Sequence, residues 1–196
     1  MHAFLSTMAV VAGLEERLRA MQFPAELIPA TSTTIQVGDP IWQVVSKQST
    51  PSLALAVEKA LAVTERLACV VPARERYEPM QGAAGVAQKR MQTFLILMSG
   101  VDFDPFEAAS FYGSEDVPGL LELKDHVVRE LYGESLGVRG AVVIPRAGES
   151  VRFADDQDGQ ANTGLSDIRE GYVLTVDVTM GVMQAHTSRG TPIKRL

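Results

Sequence analysis

The residues able to do chemistry are few and scattered. His2, His126 and His186 lie far apart and share none of the close spacings of a structural zinc site. His126 follows Asp125 on what reads as the wet flank of a helix, so a solvated imidazole is expected there. The single cysteine, Cys69, has no disulfide partner and sits inside an apolar run, which predicts a buried core thiol. A nucleophilic thiol needs a neighbouring base, and none stands close in sequence. The run Asp155-Asp156-Gln157-Asp158-Gly159 suggests a calcium loop, with Asp158 and Gly159 at its fifth and sixth places. Ala154 and Leu165 then occupy the first and twelfth places, where ligands are required, so an acidic turn is the better reading. Gly82-Ala83-Ala84-Gly85 is too short for a nucleotide fingerprint, and no Lys-Ser/Thr follows it. No serine stands in a nucleophile elbow. The acid pairs Asp102/Asp104 and Glu115/Asp116 fall in expected loops, where solvation is the default. The sequence therefore offers no catalytic, cofactor-binding or metal-ligating set, and a non-enzymatic role is expected.

Charged and aromatic residues say more. Apolar runs at 67–71 and 94–98 suit buried strands. The connection between them carries Arg74, Glu75, Arg76, Tyr77 and Glu78, is long for a hairpin, and has no periodicity of its own. It is expected to be a projecting loop over 74–85. Arg74, Arg76 and Tyr77 are the candidate oligomer-interface residues, since arginine and tyrosine favour interface hot spots. The plainer alternative is that they only solvate the loop. Phe106, Phe111 and Tyr112 stand among acids and small residues in the segment 102–116. They are candidate partner contacts, or they fold back onto the core.

These residues need a scaffold. A chain of 196 residues is expected to form one domain. Insertions are expected near 102–116 and 146–170, and a mobile C-terminal tail over 185–196. A chain of this length buries about 70% of its unfolded surface, so it needs no staples. Eighteen Lys and Arg against 24 Asp and Glu give a net charge of −6, and the basic residues are dispersed. That balance speaks against sequence-specific nucleic-acid binding. Near the N-terminus, Phe4, Met8, Val11, Leu14, Leu18 and Met21 mark one helical face. The run is too short to span a membrane, and no basic region precedes it as in a signal peptide.

Helix one is expected from the N-cap Ser6 to Gln22, before Pro24. A short edge strand is expected at 33–37, another strand at 41–45, and helix two at 51–64. The strand at 67–71 should close at Pro72, and a second should lie within 88–101. Helix three, 120–131, is bounded by Pro118 and Gly133. Strands follow at 141–144 and 150–153, then a polar surface loop at 154–164. The last strand, 171–180, turns Leu174, Val176, Val178 and Met180 inward and Thr175, Asp177 and Thr179 to a wet face. The fold class is α+β, with a mainly antiparallel or mixed sheet, helices on one face and inserted loops.

From Leu67 to Leu131 the chain resembles the tail terminator, or tail completion, proteins of long-tailed bacteriophages and Mu-like prophages. The carrying residues are Cys69-Val70-Val71-Pro72 with Glu75, a Gly-containing connection, then Gln88-Lys89-Arg90 leading into Thr93-Phe94-Leu95-Ile96-Leu97. The amphipathic helix 120–131 follows and stops at Gly133. The family also has an N-terminal helix and a closing strand pair, places that 14–21 and 171–180 would fill. The resemblance implies a hexameric ring that caps the finished tail tube and offers a surface to the head. Its partners would be copies of itself, the tail tube protein and the head–tail connector, with no cofactor. Its location would be the virion tail or neck, with the host cytoplasm before assembly. The alternatives are another neck or tail adaptor, or a small-molecule-binding α+β domain or enzyme.

Overall fold

Ser6 accepts a hydrogen bond from the Ala9 N–H (3.0 Å) and starts helix α1, Thr7–Arg19, in this computed structural model. The structure describes residues 6–48, 52–61, 66–79, 87–100, 112–137, 141–154 and 168–184. α1 buries Val11, Leu14 and Leu18 of the expected face, and Met21 just past its end, but Val10 is buried in place of Met8, which is 48% exposed. Residues 33–37 are bends and turns rather than an edge strand. Their backbone is committed to a local turn: the Gln36 N–H donates to the Asp39 carboxylate, and the Asp39 N–H to the Gln36 carbonyl.

The sheet contains five strands in the order β1-β2-β3-β5-β4. Strand β1 is Val44–Lys47, β2 Leu67–Pro79, β3 Ala87–Ser99, β4 Val142–Ala154 and β5 Ile168–Gln184. β1 and β2 pair in parallel, which requires a crossover, and helix α2, Leu53–Leu61, supplies it. The remaining pairs are antiparallel. Helix α3, Leu120–Leu131, lies between β3 and β4 in sequence and matches its expected bounds. The architecture is α+β with a mainly antiparallel sheet.

α1 and α3 cover one face through Ala68, Val70, Phe94, Ile96, Leu174, Val176 and Val178. α2 covers part of the other, where Ala56 and Ala60 meet Leu67, Cys69, Val71, Leu97 and Val173. Two helices thus share the expected face and the third takes the opposite one. The reason lies in residues 67–71, which are apolar at every position and need cover on both sides. Cys69 is fully buried there.

The strands differ from expectation in bounds and in cover: β1 is Val44–Lys47 rather than 41–45, and β5 is Ile168–Gln184 rather than 171–180. β2 does not close at Pro72 but continues to Pro79, so Arg74, Arg76 and Tyr77 are strand residues, not loop residues. Pro72 lies past the last β1 pair, Lys47–Val70, so β1 makes no demand on its missing N–H. β4 runs unbroken through Pro145, on an edge strand with a register shift between Pro145 and Gly148. The supposed wet face of β5 is covered: Asp177 is 3% exposed and Thr179 8%. Several expected features fall outside the described residues: Phe106, Phe111, His2, His186, the stretches 82–85 and 155–159, and the tail 185–196.

Candidate functional site

Asp177 sits between Val176 and Val178, which face α1 and α3. Alternation therefore aims it at the α2 face. α2 does not reach that far, and neighbouring side chains enclose the carboxylate instead. The Thr93 hydroxyl of β3 donates to its Oδ1 at 2.7 Å. Arg76 Nη2 of β2 and Arg146 Nε of β4 donate to its Oδ2 at 2.8 and 3.1 Å. One acid thus braces four of the five strands.

An irregularity in β2 brings Arg76 to this group. Pro72 pairs with Phe94 and Arg74 with Thr93, leaving Ala73 as an unpaired extra residue. That bulge shifts the alternation by one. Arg74, Arg76 and Glu78 take the α2 face, and Glu75 and Tyr77 take the other. Arg146 needs no such shift, because it stands two residues beyond Ile144, the pair of Asp177, and so on the same face. Burial pushes the Asp177 carboxyl up, but Thr93, Arg146 and Arg76 more than offset this and hold it below its ordinary value. The guanidinium groups keep water access, with side chains 33% exposed for Arg76 and 49% for Arg146. Arg76 Nε also lies 3.1 Å from Glu78, an ion pair without hydrogen-bond alignment.

Beside this cluster, on the same face, is a groove of about 450 Å³. Leu53, Val71, Pro72 and Leu95 give it an apolar floor, and Arg74 stands at its edge. Arg74 is exposed and has no ion pair among the described residues. Three arginines against Asp177 and Glu78 leave the local charge positive.

The other candidate residues lie elsewhere. Tyr77, on the far face, donates to Glu75 at 2.6 Å, and Arg90 pairs with the same carboxylate. The Arg90 and Tyr77 hydrogen bonds hold the Glu75 carboxyl low, and the Tyr77 phenol is raised by Glu75 in return. Arg76 and Tyr77 are therefore not one patch. Tyr112 is 71% exposed at the start of a tight turn before α3. Gly113 there has φ +90°, and an added Cβ would meet the Gly119 backbone at 2.6 Å, so only glycine fits. His126 corrects another expectation. It is 7% exposed, and burial lowers its pKa, with Arg129 Nη2 2.9 Å from Nδ1.

The sequence missed Asp177, Thr93 and Arg146 as a group. The available signal was an acid inside an otherwise apolar alternating strand, since a charge there must be paired. Chemically, a carboxylate held by two guanidinium groups is a poor base for the Thr93 hydroxyl that donates to it. Among the described residues, no group of three or more His, Cys, Asp or Glu is placed to hold a metal. Among the described residues, no helix is long and apolar enough to cross a membrane. No protein-family model matches this chain, and no curated protein matches it.

Proposed function

We propose that the chain is a virion assembly protein, a tail terminator that forms a hexameric ring at the head-proximal end of a phage tail tube. The ring stops tube polymerisation and presents the head-joining surface. The observation that carries this reading is the β2–β3 hairpin. Both strands are 13 residues long, and residues 73–79 of β2 are exposed or half-buried on both faces. A hairpin that outruns its own core and is braced by the Glu75–Arg90 ion pair and the Tyr77 hydroxyl suits contact with a neighbouring copy. The element order adds support, because α1 precedes the hairpin, α3 follows it and β4–β5 close the sheet. That is the order the resemblance implies.

A ring of this kind needs a heterologous contact that closes by rotation. The net charge of −6 fits a channel that lets DNA pass without holding it. Deleting the coding sequence from the genome that carries it is expected to give tail tubes of unregulated length that fail to join heads. Electron microscopy of lysates reads both properties. Tails of uniform length joined to heads in the deletion strain would refute the proposal.

A further inference from the structure

Two surfaces of this chain complement one another and lie among elements on opposite faces of the sheet. The first is the groove on the α2 face, with its apolar floor and Arg74 in its lining; Arg76 and Arg146 stand beside it on Asp177. The second surrounds Tyr112. Tyr112, Glu26 and Glu122 line a shallow hollow of about 270 Å³ beside the turn that leads into α3. Glu115 and Asp116 are exposed in the same turn. Of these four acids, only Glu26 has an ion pair among the described residues, with Arg129 at 3.7 Å. The groove thus carries excess positive charge and the Tyr112 patch excess negative charge.

The patch is also rigid. A bridge between Gly113 and Pro118 closes the turn. The Ser114 hydroxyl accepts from the Asp116 and Val117 N–H groups, and the Thr31 hydroxyl donates to the Glu115 carbonyl. An exposed tyrosine beside such a turn buries about 150–250 Å² on docking.

We propose that Tyr112 of one copy docks into the Arg74 groove of the next, with Glu115 and Asp116 against the arginine edge. The contact uses a different surface on each partner, so it is head-to-tail and can propagate around a ring. It rests on the ring reading above and names its interface. Distal acids on a partner also explain why the groove keeps a charged edge instead of continuing the apolar cover of α2. Burying that edge under an uncharged surface would strand Arg74, which has no ion pair among the described residues, without counter-charge.

The test is a charge exchange read by sedimentation velocity over a concentration series of the full chain. Arg74→Glu alone, Glu115→Arg with Asp116→Arg, and Tyr112→Ala are each expected to weaken self-association by more than about tenfold. All altered side chains are exposed, so melting temperatures should match the parent. An equimolar mixture of the Arg74→Glu chain and the Glu115→Arg/Asp116→Arg chain is then expected to assemble, because each groove again meets a patch of opposite charge. Variants that associate like the parent, or a mixture that stays apart while the parent assembles, overturn the contact. A parent that remains monomeric to about 1 mM also overturns it. The terminator reading would survive each of these results, since tail length in the deletion strain decides it separately.

Discussion

Removing the acid of the Asp177 cluster and removing its arginines should have unequal effects. In Asp177→Asn the side chain keeps its shape and still accepts from Thr93. The two arginines lose Asp177, but Arg76 keeps Glu78 and at 33% and 49% exposure both can rehydrate. Each loss should then cost no more than a partly exposed ion pair, about 1 kcal/mol. A total of about 1–2 kcal/mol follows, a fall in Tm of about 3–6 °C for a chain of this size. The double variant Arg76→Met/Arg146→Met leaves a carboxylate only 4% exposed with Thr93 alone. An uncompensated buried charge costs about 3–5 kcal/mol. Adding Asp177→Asn to that double variant should therefore recover stability. The pH dependence should reverse as well. In the parent the Asp177 pKa is lowered, so its contribution is complete above the unfolded value, near 3.9, and is lost as pH falls through the folded value. In the double variant burial without partners raises that pKa, so the stability deficit should shrink on acidification. Urea unfolding by circular dichroism at neutral and acidic pH measures all four chains. A triple variant no more stable than the double would refute the reasoning.

Three further outcomes are expected. His126 titrates below its ordinary value because burial opposes its charge, with Arg129 adding to this and Glu130 and Glu26 opposing it. The folded state should thus lose stability as pH falls below the unfolded value, near 6.5, and His126→Gln should flatten that part of the stability–pH curve. Gly148→Val would drive a side chain into the Tyr172 ring, which lies 5.4 Å from Lys124 Nζ, and should cost about 1–3 kcal/mol with a change in near-UV tyrosine dichroism. Ser6→Ala removes the α1 cap and should cost about 1 kcal/mol, read as a Tm lower by about 2–4 °C.

Periodicity made much of the scaffold legible. The α1 stripe, the α3 face and the inward residues of β5 follow 3.6- and 2-residue patterns; α3 has its expected bounds, α1 stops at Arg19 short of Gln22, and β5 runs past 171–180 at both ends. Legibility failed where the pattern breaks. Pro72 reads as a terminator, and the Arg-Glu-Arg-Tyr-Glu stretch after it reads as a loop, because intrinsic preference ignores cross-strand pairing. Residues from Gln88 to Thr93 satisfy that stretch from across the hairpin. Bulges hide a second layer, since one extra residue at Ala73 decides whether Arg76 or Tyr77 joins Asp177. Asp177 itself looked solvated because its partners stand 84 and 101 residues before it and 31 before it in sequence. His126 looked solvated because its own helix cannot reveal what packs across it.

The place of β5 has a consequence for biosynthesis. It is the last of the described strands to be translated, yet it stands between β3 and β4. Until it leaves the ribosome, β3 has an open edge and β4 has no partner in the sheet. Phe94 and Ile96 wait for Val176 and Leu174, their partners across the β3–β5 pair. At about 5–20 residues per second, the stretch from β3 to β5 leaves that half-sheet bare for several seconds. Nascent chains of this protein should therefore depend on chaperones late in synthesis, and a copy interrupted before β5 should be cleared before it can reach any partner.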